Sequence, residues 1–208
     1  CSTISTGQAR GLEGLSLIGV PADVTARTQE RFKKHIDAAK LLGSKVTIGL
    51  MRGLGSLDTA ERDLDELSEA MKPLVEYAGK NGVTLCLEAI NRYETALLNS
   101  AEATVDFIEN RLGNPDCVGI LWDLFHANIE DIGFERSIEK MGKKLKHVHI
   151  ADSDRMFPGY GHTDFETIFK CLKKNGFSEY CSFECFNLPS LDVVLRDTGS
   201  WVQKMREL

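Results

Sequence analysis

Val118-Gly-Ile-Leu-Trp-Asp123 is an apolar run of strand length that stops on a carboxylate, and three other runs share that form. Thr84-Leu-Cys-Leu-Glu88, Lys146-His-Val-His149 and Cys181-Ser-Phe-Glu184 each end on a group that can hold a proton or a metal ion. Side chains two apart on a strand share a face. If Glu88 points one way, Cys86 and Thr84 follow it while Leu85 and Leu87 take the other face. The same phase sets Ser182 and Glu184 against Phe183 and Cys185, and Gly119, Leu121 and Asp123 against Ile120 and Trp122. The opposite set is the more apolar in each run. A strand that shows apolar residues to covering helices and polar ones to an interior belongs in a barrel wall, with its polar ring at the C-terminal rim.

Outward from these runs, strands are predicted over 2–6, 45–50, 83–88, 118–123, 147–151 and 180–185. Helical spacing fills the intervals. Phe32, Ile36 and Ala39 mark a helix closed by Gly43, and Leu64, Leu67, Met71, Leu74 and Ala78 mark a longer one closed by Asn81-Gly82. Pro73 inside the second is expected to kink or divide it. Asn99 with Glu102 is read as the cap of a third helix carrying Val105, Ile108 and Leu112. Phe134, Ile138, Met141 and Leu145 mark a fourth, Phe165, Ile168, Phe169 and Leu172 a fifth, and a last one lies between Leu191 and Met205 with Trp201 on its apolar side and Gly199 weakening it.

Alternating strands and helices imply an α/β fold with a parallel sheet, either doubly wound or a (β/α)8 barrel, and the rim carboxylates select the TIM-barrel type. A complete barrel takes about 250 residues and eight strands. In 208 residues we therefore expect residues 1–208 to form a single, incomplete barrel domain with about six βα units, the first two missing ahead of Cys1. Its two raw sheet edges would invite a second copy, so a homo-oligomer is expected.

Composition agrees with one globular domain, at 42% hydrophobic and 27% charged residues, without an apolar run of the ~18 residues a bilayer span needs. No membrane association is expected. With 25 Lys+Arg against 31 Asp+Glu, a net charge of -6 and no basic block, nucleic acid is not an expected partner. The six cysteines lack zinc or disulfide-scaffold spacing and no secretory signal is present, which reads as reduced thiols in a cytoplasmic protein.

Three carboxylates and one imidazole converging from successive strand ends make a hard, oxygen-rich site suited to Mn²⁺, Mg²⁺ or Co²⁺. Glu88, Asp123, His149 and Glu184 are the expected ligands of one divalent ion, Mn²⁺ foremost. Each taken singly also fits an ordinary strand-end polar residue. His147, one layer deeper, is assigned a supporting hydrogen bond, while His162 is placed in a surface turn and His35 on a solvated helix face. Arg52, between Gly53 and the second strand, is a candidate for contact with a substrate tail or phosphate.

The runs Leu87-Glu-Ala-Ile-Asn-Arg-Tyr-Glu94, Trp122-Asp-Leu-Phe-His-Ala-Asn-Ile-Glu130 and His147-Val-His-Ile-Ala-Asp-Ser-Asp-Arg155 resemble the xylose isomerase-like sugar (phosphate) isomerase/epimerase superfamily, closest to its D-tagatose 3-epimerase/D-psicose 3-epimerase branch. The turn Pro158-Gly-Tyr-Gly-His-Thr-Asp-Phe165 and Ser182-Phe-Glu184 continue the resemblance in the same order. It implies a metal-dependent ketose 3-epimerase acting on a small-molecule sugar or sugar phosphate. By that likeness Glu88 and Glu184 stand on opposite faces of the sugar as the catalytic pair, one taking the carbon-3 proton and the other returning it through a metal-held enediolate.

Glu94, His126 and Arg155 match substrate-contacting positions of the epimerases: an acceptor, a donor or acceptor, and a fixed donor fork. The plainer alternatives are a Glu94–Arg92 rim pair, a helix-start role for His126 and an Arg155 ion pair with Asp152 or Asp154. Hydroxypyruvate isomerase or inosose dehydratase chemistry on the same fold is the nearer alternative. An endonuclease IV-like nuclease or a non-catalytic sugar-binding barrel are the more distant ones.

Overall fold

A computed structural model describes all residues 1–208. Six strands form one parallel sheet in sequence order: β1 (Thr3–Ile4), β2 (Lys45–Ile48), β3 (Leu85–Glu88), β4 (Val118–Asp123), β5 (Leu145–Ile150) and β6 (Tyr180–Phe183). The helices are α1 (Gly7–Glu13), α2 (Ala22–Leu42), α3 (Ala60–Asn81), α4 (Ala101–Asn110), α5 (Leu124–Glu130), α6 (Phe134–Met141), α7 (Phe165–Lys174) and α8 (Leu191–Glu207). The sheet curls so far that Lys45, at the start of β2, reaches the β6 edge. Its Nζ lies 2.9 Å from Glu179 Oε2 and 5.7 Å from the centre of the Tyr180 ring. The architecture is the incomplete (β/α)8-type half-barrel expected from the sequence.

The alternation of faces is as read. Val46, Ile48, Leu85, Leu87, Ile120, Trp122, Val148 and Ile150 join a 39-residue apolar cluster with the helices, whereas Thr47, Cys86, Glu88, Leu121, Asp123, His147 and His149 are buried outside that cluster. On the inner wall Cys86 pairs with Gly119, and Asp123 with His149. Gly119 has no room for a side chain, because a Cβ there would sit 2.3 Å from Lys146 Cγ and 2.7 Å from the Lys144 carbonyl.

Several boundaries differ from the sequence reading. The first strand shrinks to Thr3–Ile4 because Thr6 begins α1, a helix with two glycines and one buried residue, Ala9, that offers no periodic signal. Leu145 does not close the fourth helix. Gly142, at φ 48°, ends α6 after Met141, and Leu145 opens β5. Pro73 does not divide α3, since Leu67, Met71, Leu74 and Ala78 on both sides of it are fully buried on one face. Burial along two turns outweighs the hydrogen bond proline removes.

Ser100, not Asn99, caps α4, accepting from the Ala103 amide. Asn99 donates instead to the Ile90 and Thr95 carbonyls. Gly199 lies within an unbroken α8. His35 is half-buried rather than solvated, with Nε2 sealed and its ring edge-on to Phe32.

Gly119→Ala is expected to destabilise the chain by about 1–3 kcal/mol, because backbone as well as a side chain must shift. Gly79→Ala, whose Cβ meets only Cys117 Sγ at 3.6 Å in the interior of α3, is expected to stabilise it by about 0.5–1 kcal/mol. Urea unfolding of the two variants beside the parent checks both signs.

Candidate functional site

Glu88 closes β3, Asp123 closes β4, His149 is the fifth residue of β5, and Glu184 follows β6, its amide still donating to the Ile150 carbonyl at 3.0 Å. One ligand atom from each lies within 4.8 Å of the others. Around His149 Nδ1, Glu184 Oε2 stands at 2.7 Å, Asp123 Oδ2 at 3.5 Å and Glu88 Oε1 at 3.7 Å. Nδ1 is sealed from solvent yet makes no directed hydrogen bond, so its nitrogen faces three carboxylates without a partner of its own.

A divalent ion fits this arrangement. Ligand distances of about 2.0–2.3 Å set opposed ligand atoms about 4.0–4.6 Å apart, close to the 4.8 Å within which the four atoms lie. Burial works to lower the His149 pKa, but Asp123, Glu184 and Glu88 together push it up to about 11. The same field favours any cation placed there. Burial holds the Asp123 carboxyl above the usual range against His149 and Arg155, while Glu184, also opposed by burial, is held below it by His149, Asp123 and Arg155.

Arg155 pairs with neither Asp152 nor Asp154. Its Nη1 lies 2.8 Å from both oxygens of Asp123, its Nη2 2.8 Å from Glu184 Oε2, and its guanidinium lies over the Phe125 ring at 4.9 Å. Arg155 holds a left-handed backbone at φ 65°, in the loop between β5 and α7.

Asp152 shapes that loop. Its side chain, 1% exposed, accepts from the amides of Ser153 (2.7 Å), Gly159 (2.7 Å) and Thr163 (3.0 Å), and its carbonyl accepts from the Arg155 amide. Burial opposes its charge, but these amides hold its carboxyl below the usual range. A Cβ at Gly161 would lie 2.4 Å from Asp152 Oδ1, so glycine there lets the loop close on the carboxylate.

On the opposite wall, Arg92 pairs with Glu130 rather than Glu94. Glu94 Oε1 accepts from Asn91 Nδ2 at 3.0 Å, and the same Nδ2 lies 2.7 Å from His126 Nδ1. His126 is the third residue of α5, whose N-terminus is capped by the Asp123 side chain. Burial, then Arg155, pushes its pKa down to about 3, so the ring is neutral.

Asn91 and Asp152 are the residues the sequence reading missed. Asn91 sits in a loop without periodicity, and Asp152 stood only as a possible partner of Arg155. Three other expectations are settled by geometry. Arg52 is fully buried, with Nη2 donating to the Leu97 carbonyl at 2.9 Å, and does not line the cavity. His147 bonds Ser182 Oγ at 2.7 Å rather than a carboxylate of the cluster, its ring edge-on to His149. His162, exposed as expected, meets Ser153 Oγ.

Glu88, Glu94, His126, Arg155 and Glu184 line one cavity of about 160 Å³ with Ser5, Thr6 and Thr47, and Leu50 and Ile90 are its two apolar residues. Such walls suit a small, hydroxyl-rich ligand. A parallel α/β barrel wall carrying this cluster at its C-terminal rim defines a TIM-barrel protein with a candidate divalent-metal centre.

The chain belongs to the Xylose isomerase-like TIM barrel family, whose model matches residues 2–206. It is 32% identical over 197 residues to an L-ribulose 3-epimerase of Mesorhizobium japonicum, covering 88% of this chain and 66% of that protein. It is 35% identical over 118 residues to a ketose 3-epimerase of Arthrobacter globiformis, covering 57% and 40%. The solved structure of an L-ribulose 3-epimerase superposes with a TM-score of 0.76 at 32% identity, covering 94% of this chain and 66% of that one. A 3-keto-D-glucoside 4-epimerase from E. coli matches in fold, with a TM-score of 0.83 at 22% identity over 98% and 78% of the two chains. The chain thus spans slightly less than two thirds of the length of the L-ribulose 3-epimerases it matches.

Asp152→Ala is expected to destabilise the chain by about 1–3 kcal/mol, since three amides lose a buried acceptor. It should also open the segment 153–163 to limited proteolysis before the rest of the fold. Cleavage elsewhere first would show that the carboxylate does not hold this loop.

Proposed function

We propose that this chain carries the active site of a divalent-metal-dependent ketose 3-epimerase. The observation that carries the reading is the convergence of Glu88, Asp123, His149 and Glu184 within 4.8 Å from four successive strand ends. The similarity to L-ribulose and ketose 3-epimerases supports it. One continuous apolar cluster, drawing on elements from α1 to α8, supports reading residues 1–208 as one domain.

Glu88, Asp123, His149 and Glu184 would hold the ion, with Mn²⁺, Mg²⁺ and Co²⁺ matching the ligand set and Mn²⁺ the first choice. When bound, a divalent cation supplies Lewis-acid polarisation of the ketose carbonyl and so acidifies the adjacent carbon. The remaining work belongs to the chain's own residues. Glu88 and Glu184 both border the cavity. One takes the proton from carbon 3 and the other returns a proton to the opposite face, inverting that carbon.

Arg155, fixed between Asp123 and Glu184, keeps the Glu184 carboxylate oriented and ionised. Glu94, in the loop after β3, and His126, in the first turn of α5, face the substrate. The substrate is a small sugar or sugar phosphate. A cytoplasmic homo-oligomer remains our expectation for the protein's setting, and no helix is long and apolar enough to cross a membrane.

The test is deuterium exchange from D₂O into a panel of ketoses with the Mn²⁺-loaded chain, read by NMR. Exchange at carbon 3 is expected, whereas exchange confined to carbon 1 would assign the chain to aldose–ketose isomerisation. Glu184→Gln keeps an oxygen ligand and removes the base, so it should retain Mn²⁺ and lose about 10²–10⁴-fold in exchange rate. Exchange near the parent rate would take Glu184 out of the reaction. His149→Ala should weaken Mn²⁺ binding at least about tenfold by calorimetry, and unchanged affinity would break the ligand set.

A further inference from the structure

Asn91 is 2% exposed, and its side chain makes three hydrogen bonds, two of them to partners whose chemistry fixes the direction. The Tyr93 amide can only donate, and it lies 2.9 Å from Asn91 Oδ1. The Glu94 carboxylate accepts, and its Oε1 lies 3.0 Å from Asn91 Nδ2. Turning the amide over would put oxygen against carboxylate and NH₂ against N–H, so the two neighbours fix its orientation independently. The same Nδ2 then points a second hydrogen at His126 Nδ1, 2.7 Å away. An amide NH₂ has no acceptor to offer, so Nδ1 must carry a lone pair. The ring's proton is left on Nε2.

His126 Nε2 has no protein partner and is not sealed, and His126 lines the cavity beside Glu88, Glu94, Arg155 and Glu184. We propose that Asn91 is a positioning residue that locks His126 in the Nε2–H tautomer, making His126 a fixed hydrogen-bond donor to a substrate oxygen. The orientation runs from the Tyr93 amide through Asn91 to the imidazole, and it is set before any ligand enters. A preset neutral donor stabilises oxygen charge that develops in the reaction without reorganising. It cannot accept a proton at Nδ1 without breaking the Asn91 bond, so His126 does not serve as a base and proton movement stays with Glu88 and Glu184. The inference rests on the epimerase reading only for the identity of the oxygen that accepts this bond.

The experiment is a long-range ¹H–¹⁵N correlation spectrum of the full chain labelled with [¹⁵N]histidine and supplied with Mg²⁺ at pH 7. His126→Gln identifies the resonances by their loss. The expected pattern is a bare, downfield Nδ1 and a protonated Nε2, and a proton on Nδ1, alone or on both nitrogens, would overturn the proposal. Asn91→Asp replaces the donor by an acceptor and should move the proton to Nδ1, lowering kcat on a responding ketose about 10- to 100-fold with a smaller change in KM. An unchanged tautomer in that variant would remove Asn91 from the role.

If Asn91→Asp does not fold, Asn91→Ala should give a mixture of tautomers, and a single Nε2–H form there would equally refute the proposal. The spectrum needs no substrate. A chain inactive on every ketose would therefore defeat the epimerase reading while leaving the tautomer decided by the spectrum.

Discussion

Like charge at one point of the barrel rim is the constraint around which the rest of the site is arranged. Two carboxylates about 4 Å apart repel by about 4 kcal/mol at an effective dielectric constant of about 20, and here three share the end of one half-barrel. Arg155 answers part of that charge by bridging Asp123 and Glu184. With one guanidinium against three ionised carboxylates, two negative charges remain when His149 is neutral, the form in which an imidazole binds a metal. A divalent cation at His149 and the carboxylates balances them, which is why the ligand chemistry and the charge balance lead to the same ion.

Holding repelling groups together requires a rigid frame. The outward half of every inner strand is locked into the apolar cluster with the helices, so the inward half is presented at fixed spacing. Glycine makes the close approaches possible where a side chain would not fit. A Cβ at Gly49 would sit 2.7 Å from Glu88 Oε2, and one at Gly119 would strike the Lys144 backbone on the adjoining strand connection. The loop bearing Arg155 has no strand to fix it, and Asp152 takes that part by gathering the loop's amides around one buried carboxylate. The frame thus extends from the sheet into the loop through hydrogen bonds rather than through packing.

Those two kinds of support explain what could be read from the sequence. Glu88, Asp123, His149 and Glu184 were legible because each stands at the end of a period-two pattern, and the pattern fixes both the face and the rim. The order of six strands followed from the same signal. Leu145 was misread because it continues a helical spacing that Gly142 interrupts, and local backbone geometry outranked periodicity. α1 escaped notice, and α5 was met only as a helix start at His126, because seven residues give too few turns for a stripe to show. Asn91 and Asp152 act through loop amides and side-chain amide direction, which carry no period. Arg52 looked like a rim residue in a glycine-rich loop, but its guanidinium turns inward to the Leu97 carbonyl.

Arg155 and His126 divide the cavity into two unlike walls, and the difference follows from their neighbours. Arg155 is held by ligand carboxylates, so its charge is committed to the cluster and its position is tied to the same groups that would bind the ion. His126 lies among buried groups with Arg155 nearby, and a charged imidazole there would meet both the burial penalty and like-charge repulsion. A neutral imidazole with a fixed tautomer avoids both and still offers an N–H to the cavity. Glu94 complements it as an acceptor within the same Asn91 network, so one wall can both give and take hydrogen bonds from neighbouring hydroxyls. That wall is built from the loop after β3 and the first turn of α5, and it meets the cluster where the Asp123 side chain caps α5. On the epimerase reading, the cluster would set the reaction and the Asn91 wall would set which sugar oxygens are recognised.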